Sequence, residues 1–374
     1  MQPLKGIRVL DFSTLLPGPY ATLLLAEAGA EVIKVERPGR GEDMRYYPPF
    51  CNGESVSFAM LNRGKRSLPV DLKSSEALGL LKPLLEEADV LVEQFRPGVM
   101  ARLGLGYEDV NAQNPGLIYC SITGYGQTGP LASRAGHDIN YQAQSGLLSL
   151  SGDSEGRPVV PPVLAADIAG GTYPAVLNIL LALLERQKTG RGCHLDISMC
   201  DGLWPFLFWG QAAGAATGQW PQTGREPLTG GSPRYRIYPT SDGRFVAVAA
   251  LEQKFWDLLC QTTGLPEPLR DDGRDPVATT AALEGIFAAR DQAHWDKLFR
   301  ENDMCCTVVQ TVEEARRDGH FQARGLFGRR VMVGGRELDA LAVPLDRRFL
   351  DGREVRESPT LESGKEKPPK WPLE

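Results

Sequence analysis

An imidazole and a carboxylate, thirty residues apart, are the two side chains of this sequence best suited to proton transfer. His137 stands in the run GHDINY at 136–141, and Asp167 stands in the run ADIAGG at 166–171. An apolar helix is predicted from about residue 172 to 187, so Asp167 would lie near a helix N-terminus, where free N–H groups favour developing negative charge. Taken singly, an Asp before a helix is most often an N-cap, and a lone histidine is usually structural. Together they predict an acid and a base.

Several runs of the sequence resemble the class III CoA-transferase superfamily, the CaiB/BaiF type. They stand at 6–11, 17–19, 31–39, 136–141 and 166–171. Within that superfamily, the GHDINY run is similar to the α-methylacyl-CoA racemase branch. The similarity extends from Leu4 to about Phe327. It implies an α/β fold with a large Rossmann-like parallel-sheet domain, a smaller α/β domain and an interlocked homodimer.

The resemblance also implies a reaction. A racemase of 2-methylacyl-CoA thioesters removes the proton α to the carbonyl, stabilises an enolate and returns a proton to the opposite face. His137 and Asp167 would be the two bases, and Glu252 in the run LEQKF would be the carboxylate beside the histidine. N–H groups over 167–171 would hold the enolate. No metal and no cofactor are implied, apart from coenzyme A as part of the substrate.

Coenzyme A carries phosphates, which call for basic residues even in an acidic protein. Arg37 and Arg96 follow predicted strands, where ligands bind in open α/β sheets. A surface arginine is otherwise most often a solvated charge. The residues that the resemblance places at CoA or the acyl group are Arg37, Val70, Asp71, Leu72, Lys73, Gln94, Phe95, Arg96, Arg102, Gly136, Asp138, Ile139, Asn140 and Tyr141.

Two other functions compete with the racemase. In a CoA-transferase, Asp167 would attack the thioester and carry the acyl group and then CoA as covalent intermediates. His137 and Leu16 favour the racemase, since formyl-CoA transferases have a glutamine where Leu16 stands, whereas the stretch 46–62 is closer to the transferase pattern. A non-catalytic acyl-CoA binding protein is disfavoured because His137, Asp167 and Glu252 are all present.

Composition narrows the classes further. The chain has 374 residues and a net charge of -6, so no basic field is available for a nucleic-acid partner. Its seven cysteines include no C-x-x-C pair, which favours reduced thiols in a cytoplasm and no zinc site. The N-terminus lacks a signal-peptide pattern, and no membrane span is expected.

Alternating apolar runs and helical patterns predict a parallel sheet with crossover helices in the first 125 residues. No G-x-G-x-x-G run follows the first strand, which argues against a dinucleotide-binding dehydrogenase. The predicted strands are 7–11, 31–36, 67–72, 90–93 and 117–122, and the predicted helices are 20–28, 74–87 and 107–114.

The remainder predicts a second, smaller unit. Strands at 235–240 and 245–250 flank a turn typical of a hairpin. Helices are expected at 253–262, 278–289, 294–302 and 312–318, and a strand at 306–310. The expected domains are a large CoA-binding domain (1–203), a linker (204–226), a small α/β domain (227–330) and a return segment with a polar tail (331–374) that packs on the large domain. From residue 352 the tail would lie on the surface or fray.

Overall fold

The computed structural model describes residues 1–153, 155–361 and 371. It divides into two compact units. The first unit contains residues 1–145, 162–206 and the described residues from 323 onward, and the second contains 146–161 and 207–322. Compared with the predicted boundaries, the second unit gains 146–161. These residues join it through local pairing, such as the hydrogen bond from Thr223 Oγ1 to the carbonyl oxygen of Ser149.

A six-stranded, all-parallel sheet forms the centre of the first unit, which confirms the predicted fold class. The strands are β1 (Arg8–Asp11), β2 (Glu31–Glu36), β5 (Arg66–Pro69), β6 (Val90–Glu93), β7 (Ile118–Thr123) and β8 (His194–Ser198), with a separate hairpin of β3 (Phe50–Cys51) and β4 (Glu54–Ser55). The order across the sheet is β5-β2-β1-β6-β7-β8. This doubly wound order reverses between β1 and β6, and open α/β sheets bind ligands at such a switch point.

Helices cover this sheet because its central strands are apolar on both sides. Val9, Val32 and Val90 are completely buried, as expected for parallel strands. The helices of this part are α1 (Pro17–Glu27), α2 (Val56–Asn62), α3 (Ala77–Glu87), α4 (Val99–Arg102), α5 (Tyr107–Asn111), α6 (Asp138–Ser145) and α7 (Tyr173–Thr189). The sequence prediction missed β8, whose first residues are partly exposed and polar.

A π-helical turn, Ala166–Thr172, leads directly into α7. The helix therefore begins about six residues earlier than predicted, and Asp167 lies in its first turn. Gly170 makes this possible, because a Cβ there would overlap the carbonyl oxygen of Met199. Thr172 Oγ1 donates to the carbonyl oxygen of Pro17 at 2.7 Å. Such π turns occur frequently at functional sites.

The continuous helix Ala166–Thr189 is also, among the described residues, the one helix long and apolar enough to cross a membrane by length and composition. The sequence had led us to expect none. Core helices of globular proteins pass the same criterion, and this helix packs against α1 and β7. We therefore do not treat it as a membrane anchor.

An antiparallel sheet of order β11-β10-β9 and its covering helices form the second unit. Its elements are α8 (Phe208–Thr217), β9 (Tyr235–Pro239), β10 (Phe245–Ala249), α9 (Gln253–Thr263), α10 (Pro276–Ala288), α11 (Gln292–Glu301), β11 (Cys306–Val308) and α12 (Val312–Arg317). The predicted linker 204–226 was wrong in part, because it contains α8. A Cβ at Gly214 would lie 2.6 Å from the ring of Trp220, so the Gly- and Trp-rich composition there reflects close packing.

The C-terminal residues return to the first unit after α13 (Gly319–Ala323). They form a small sheet of β12 (Arg330–Val333), β13 (Arg336–Asp339) and β14 (Val355–Glu357). The indole of Trp371 is buried in the core beneath α3, and its Nε1 donates to the carbonyl oxygen of Leu84. The tail beyond residue 352 is thus partly packed rather than frayed, while 362–370 and 372–374 lie outside the described residues.

Candidate active site

A cavity of about 470 Å³ opens at the carboxyl ends of β1, β6 and β7. This is the switch point of the sheet, so the topology alone favours a ligand site here. Eight of the residues predicted from the sequence line this cavity: Gln94, Phe95, Arg96, Gly136, His137, Asn140, Tyr141 and Asp167.

Asp167 reaches the cavity from the π turn. Its side chain is half-buried, and burial, with the nearby charge of Asp138, raises its pKa from 3.8 to about 7. A carboxyl group with this pKa exchanges between acid and base at neutral pH. Such a value suits a group that must both accept and return a proton.

The carboxylate of Asp138 is buried behind Asp167. Its Oδ1 accepts the backbone N–H of Asp167 at 3.0 Å, and its Oδ2 accepts from Gln142 Nε2 at 2.5 Å. The neighbouring N–H of Ile168 donates to the carbonyl oxygen of Leu164. The expectation that N–H groups at 167–171 hold an enolate is therefore corrected for these first two groups, because both already have acceptors.

His137 precedes α6 at another wall of the cavity. Its backbone N–H donates to Asn140 Oδ1 at 2.9 Å, and its carbonyl oxygen accepts the N–H of Asn140. This reciprocal pair explains why the asparagine stands three residues after the histidine. The His137 residue is exposed, so its imidazole is open to a ligand in the cavity.

Tyr141 fixes the backbone in front of His137. Its hydroxyl donates to the carbonyl oxygen of Gly136 at 2.5 Å, and its ring occupies the space where a Cβ on Gly136 would lie. Burial, followed by the charge of Asp167, raises the pKa of Tyr141 to about 12, so the phenol remains a donor at neutral pH. The tyrosine therefore supports the site rather than titrating in it.

Glu252 belongs to the second unit. It is exposed and caps the N-terminus of α9 without a side-chain hydrogen bond to that helix. Burial is the larger cause of the raised pKa of the Cys305 thiol, and the charge of the Glu252 carboxylate adds to it. The two groups are therefore close. The pairing of Glu252 with His137 stays a prediction.

The remaining predicted CoA contacts lie outside the cavity lining. Arg37 is exposed and pairs with Asp43 at 2.6 Å. Val70 is buried, so its side chain is not free to bind, and Leu72 is partly buried against the same core. The others on the surface are Asp71, Lys73, Arg102 and Ile139. Their role at CoA stays a prediction.

Eleven lining residues were not identified as site residues from the sequence: Thr14, Leu15, Pro17, Pro97, Ile122, Thr123, Gly124, Ala132, Arg134, Ala135 and Met199. Leu16, which the sequence had singled out, instead packs in an apolar cluster with Ile168. Leu15 lines the cavity because its backbone is left-handed, with φ of 62°. No local sequence signal announces this conformation, which leucine rarely adopts.

Across the described residues, no group of three or more His, Cys, Asp or Glu side chains is placed to hold a metal ion. The chemistry available at the cavity is that of a carboxyl group, an imidazole, two arginines and backbone N–H groups.

Comparison with known proteins agrees with this geometry. The family model "CoA-transferase family III" matches residues 4–365. The alpha-methylacyl-CoA racemase of Mus musculus is 40% identical over 331 residues, covering 87% of this chain and 82% of the racemase. The succinyl-CoA:glutarate CoA-transferase of Mus musculus is 42% identical over 272 residues, covering 72% of this chain and 62% of the transferase. A crystal structure of a CAIB/BAIF family protein from Brucella suis superposes with a TM-score of 0.83 and 31% identity, covering 97% of both chains.

Proposed function

Because the chain belongs to CoA-transferase family III, we propose that it is an acyl-CoA racemase that moves the proton on the α-carbon of 2-methylacyl-CoA thioesters. The chain is an enzyme of the family III CoA-transferase and racemase group. The choice of racemase rests on one observation. His137 and Asp167, an imidazole and a carboxyl group, line the same cavity.

The reaction needs one group to remove the C2 proton and another to return a proton from the opposite face. In one direction Asp167 takes the proton as a carboxylate, electrons move onto the thioester oxygen, and the imidazolium of His137 protonates C2. In the reverse direction the roles exchange. The pKa of Asp167 near 7 suits this exchange, because both protonation states are populated at neutral pH.

A CoA-transferase is the second candidate. The identity to a succinyl-CoA:glutarate CoA-transferase supports it, as does the stretch 46–62, which forms the hairpin β3–β4 and α2. Asp167 would then attack the thioester carbon as a carboxylate and expel CoA as a thiolate. The CoA thiolate would next attack the aspartyl carbonyl of this anhydride, release the first acid and leave an aspartyl-CoA thioester. The acceptor carboxylate would attack that thioester and expel the thiolate again, and the thiolate would take the acceptor's acyl group from the new anhydride, which regenerates Asp167.

Proton NMR in deuterium oxide separates the two reactions. The protein would be incubated with (S)-2-methylbutanoyl-CoA, with and without glutarate, and compared with succinyl-CoA plus glutarate. A racemase exchanges deuterium into C2 and interconverts the enantiomers without the acid. His137→Ala abolishes the interconversion of the enantiomers, and His320→Ala, which replaces an exposed histidine on α13, leaves it unchanged. Transfer of CoA to glutarate without exchange at C2 would overturn the racemase.

We further propose a homodimer in a reducing, cytoplasmic compartment. Leu177, Leu181 and Leu184 lie on one face of α7 and are 58%, 54% and 57% exposed, and apolar faces of this kind mark protein contacts. All seven cysteines are free. Sedimentation of the wild type as a dimer, and of Leu181→Glu as a monomer, would support the assembly. A monomeric wild type would refute it.

A further inference from the structure

A strained turn forms part of the cavity wall. Leu15 has φ of 62°, a region that non-glycine residues occupy only when their surroundings hold them there. Leu15 lines the same cavity as His137 and Asp167. Residues with a left-handed backbone conformation cluster at functional sites. The conformation of Leu15 depends on the group that holds it in place.

That group is Glu42, which lies next to the turn although it is 27 residues away in the chain. The backbone N–H of Leu15 donates to Glu42 Oε2 at 2.7 Å. Glu42 is 3% exposed, and its Oε1 lies 3.1 Å from Lys34 Nζ. Lys34 Nζ in turn donates to the carbonyl oxygen of Ser13 at 2.8 Å. The buried ion pair therefore binds the backbone of the turn at Ser13 and at Leu15, the two neighbours of Thr14.

Another buried ion pair in the same unit shows that this arrangement is not a general feature of such pairs. Glu27 is completely buried and binds Arg63 and Arg329, each at 2.8 Å. Neither arginine lines the cavity. Glu42 differs because its Oε2 accepts a hydrogen bond from the backbone N–H of Leu15, which lines the cavity.

We propose that Leu15 is a specificity-determining residue for the acyl group and that Glu42 is its positioning residue. The inference rests on the proposed function in one respect, namely that an acyl-CoA occupies the cavity. Leu15 is partly exposed and lines a cavity of about 470 Å³, and we infer that its isobutyl group limits the room for the acyl group. Short 2-methylacyl groups therefore fit better than 2-arylacyl groups, and the preference depends on the left-handed turn.

Binding measurements test this without relying on turnover. Isothermal titration calorimetry would compare CoA, 2-methylpropanoyl-CoA and 2-phenylpropanoyl-CoA on the wild type and on Leu15→Gly. Glycine adopts positive φ without strain, so this variant folds. We expect the affinity ratio of the phenyl to the methyl thioester to rise about tenfold, the lower end of what a methylene-sized change in a pocket produces. The affinity for CoA alone should stay unchanged.

The role of Glu42 is tested in a double-mutant cycle. Glu42→Gln should shift the same affinity ratio when Leu15 is present, and should have no further effect on it in Leu15→Gly. Glu27→Gln is the matched control: it also unbalances a buried ion pair, but the ratio should stay at its wild-type value. Should Glu42→Gln fail to fold, Leu15→Gly still decides the part of the proposal that concerns specificity.

Two results would overturn the inference. An unchanged ratio in Leu15→Gly, with C2 exchange intact in the wild type, would refute the specificity role and leave the proposed function standing. Equal shifts of the ratio by Glu42→Gln in both backgrounds would refute the positioning role. If neither thioester binds more tightly than CoA to the wild type, the proposed function itself fails, and the inference fails with it.

Discussion

Two aspartates near the switch point of the sheet have pKa values displaced in opposite directions from that of an ordinary carboxyl group. Asp11 ends β1 and is completely buried. Burial alone would raise its pKa, but Lys34 and Lys65, with hydrogen bonds from Ser13 and Thr22, hold the pKa well below its usual range. Asp167 has no comparable cation: burial and the like charge of Asp138 raise its pKa to about 7.

The comparison shows that burial does not by itself decide what a carboxylate can do. Lys65 Nζ lies 3.0 Å from Asp11 Oδ2, so the negative charge there is permanent and serves to hold the polar cluster together. Asp167 stands next to another acid, so its charge is easily lost. One aspartate is therefore suited to structure, and the other to proton exchange.

The largest expected effect follows from replacing Asp167. Asp167→Asn should lower turnover about 10³-fold or more, because the amide cannot accept the C2 proton. The C2 deuterium exchange rate, followed by NMR, measures this loss. Exchange within tenfold of the wild type would remove Asp167 from the mechanism.

The same variant should gain stability. The carboxyl has a pKa of about 7 in the folded protein and an ordinary value of 3.8 when unfolded, so the folded state binds more protons between these values. Stability then falls as pH rises from about 4 to 7. Removing the charge should add on the order of 1–2 kcal/mol at pH 8 after allowance for partial exposure, and less at pH 5. Urea unfolding at both pH values tests this.

Asp11 should respond with the opposite sign. Asp11→Asn leaves two buried lysines short of a counterion, which costs about 3–5 kcal/mol. Because its pKa is lowered in the folded state, the contribution of Asp11 is complete above the unfolded value of 3.8 and is lost only as pH falls through lower values. Asp11→Asn should also lower the pKa of Lys65 further, because burial already holds that pKa at about 8 with Asp11 present. The loss of stability should therefore be largest near pH 5 and shrink as Lys65 deprotonates toward pH 8. A loss that grows with pH over this range would contradict the pairing of Asp11 with Lys65.

Local patterns in the sequence predicted much of the parallel sheet. The strands β2 and β6 were predicted with their observed bounds, since each is an apolar run between clear breaks. The runs around His137 and Asp167 drew attention to two residues that line one cavity, and their role there stays a prediction. The strand and motif signals are both features that are contiguous in the chain.

The arrangement around the two aspartates was not predictable in the same way. The hydrogen bond of Asp138 to Asp167 spans 29 residues, and that of Leu15 to Glu42 spans 27. Which residue of the Leu15–Leu16 pair lines the cavity depends on the second of these contacts. Periodicity and propensity describe neighbours in sequence, so they carry no information about such contacts.

A smaller effect should come from the neighbour that distinguishes Asp167 from Asp11. Asp138→Asn keeps an acceptor for the N–H of Asp167 but removes the like charge. The acidic limb of the pH profile of kcat/KM should shift to lower pH by about one unit. The shift is limited because burial is the larger cause of the raised pKa. Asp196→Asn serves as the control, because the carboxylate of Asp196 also accepts a backbone N–H, that of Gln127. In this variant the acidic limb should not move. An unmoved limb in Asp138→Asn would leave burial as the sole cause.

The smallest expected effect concerns the link between the two aspartate regions. Thr172 closes the π turn that carries Asp167, and its hydroxyl donates to the carbonyl oxygen of Pro17, beside the turn that Asp11 and Lys34 support. Thr172→Val keeps the side-chain volume and removes this hydrogen bond, so the free energy of unfolding should fall by about 1 kcal/mol. If the bond also fixes Asp167, kcat should fall two- to fivefold with KM unchanged. Thr189→Val, an exposed threonine of α7 whose hydroxyl bonds a helical carbonyl, should change neither quantity. A stability loss without a change in kcat would mean that the two aspartate regions are joined mechanically but function independently.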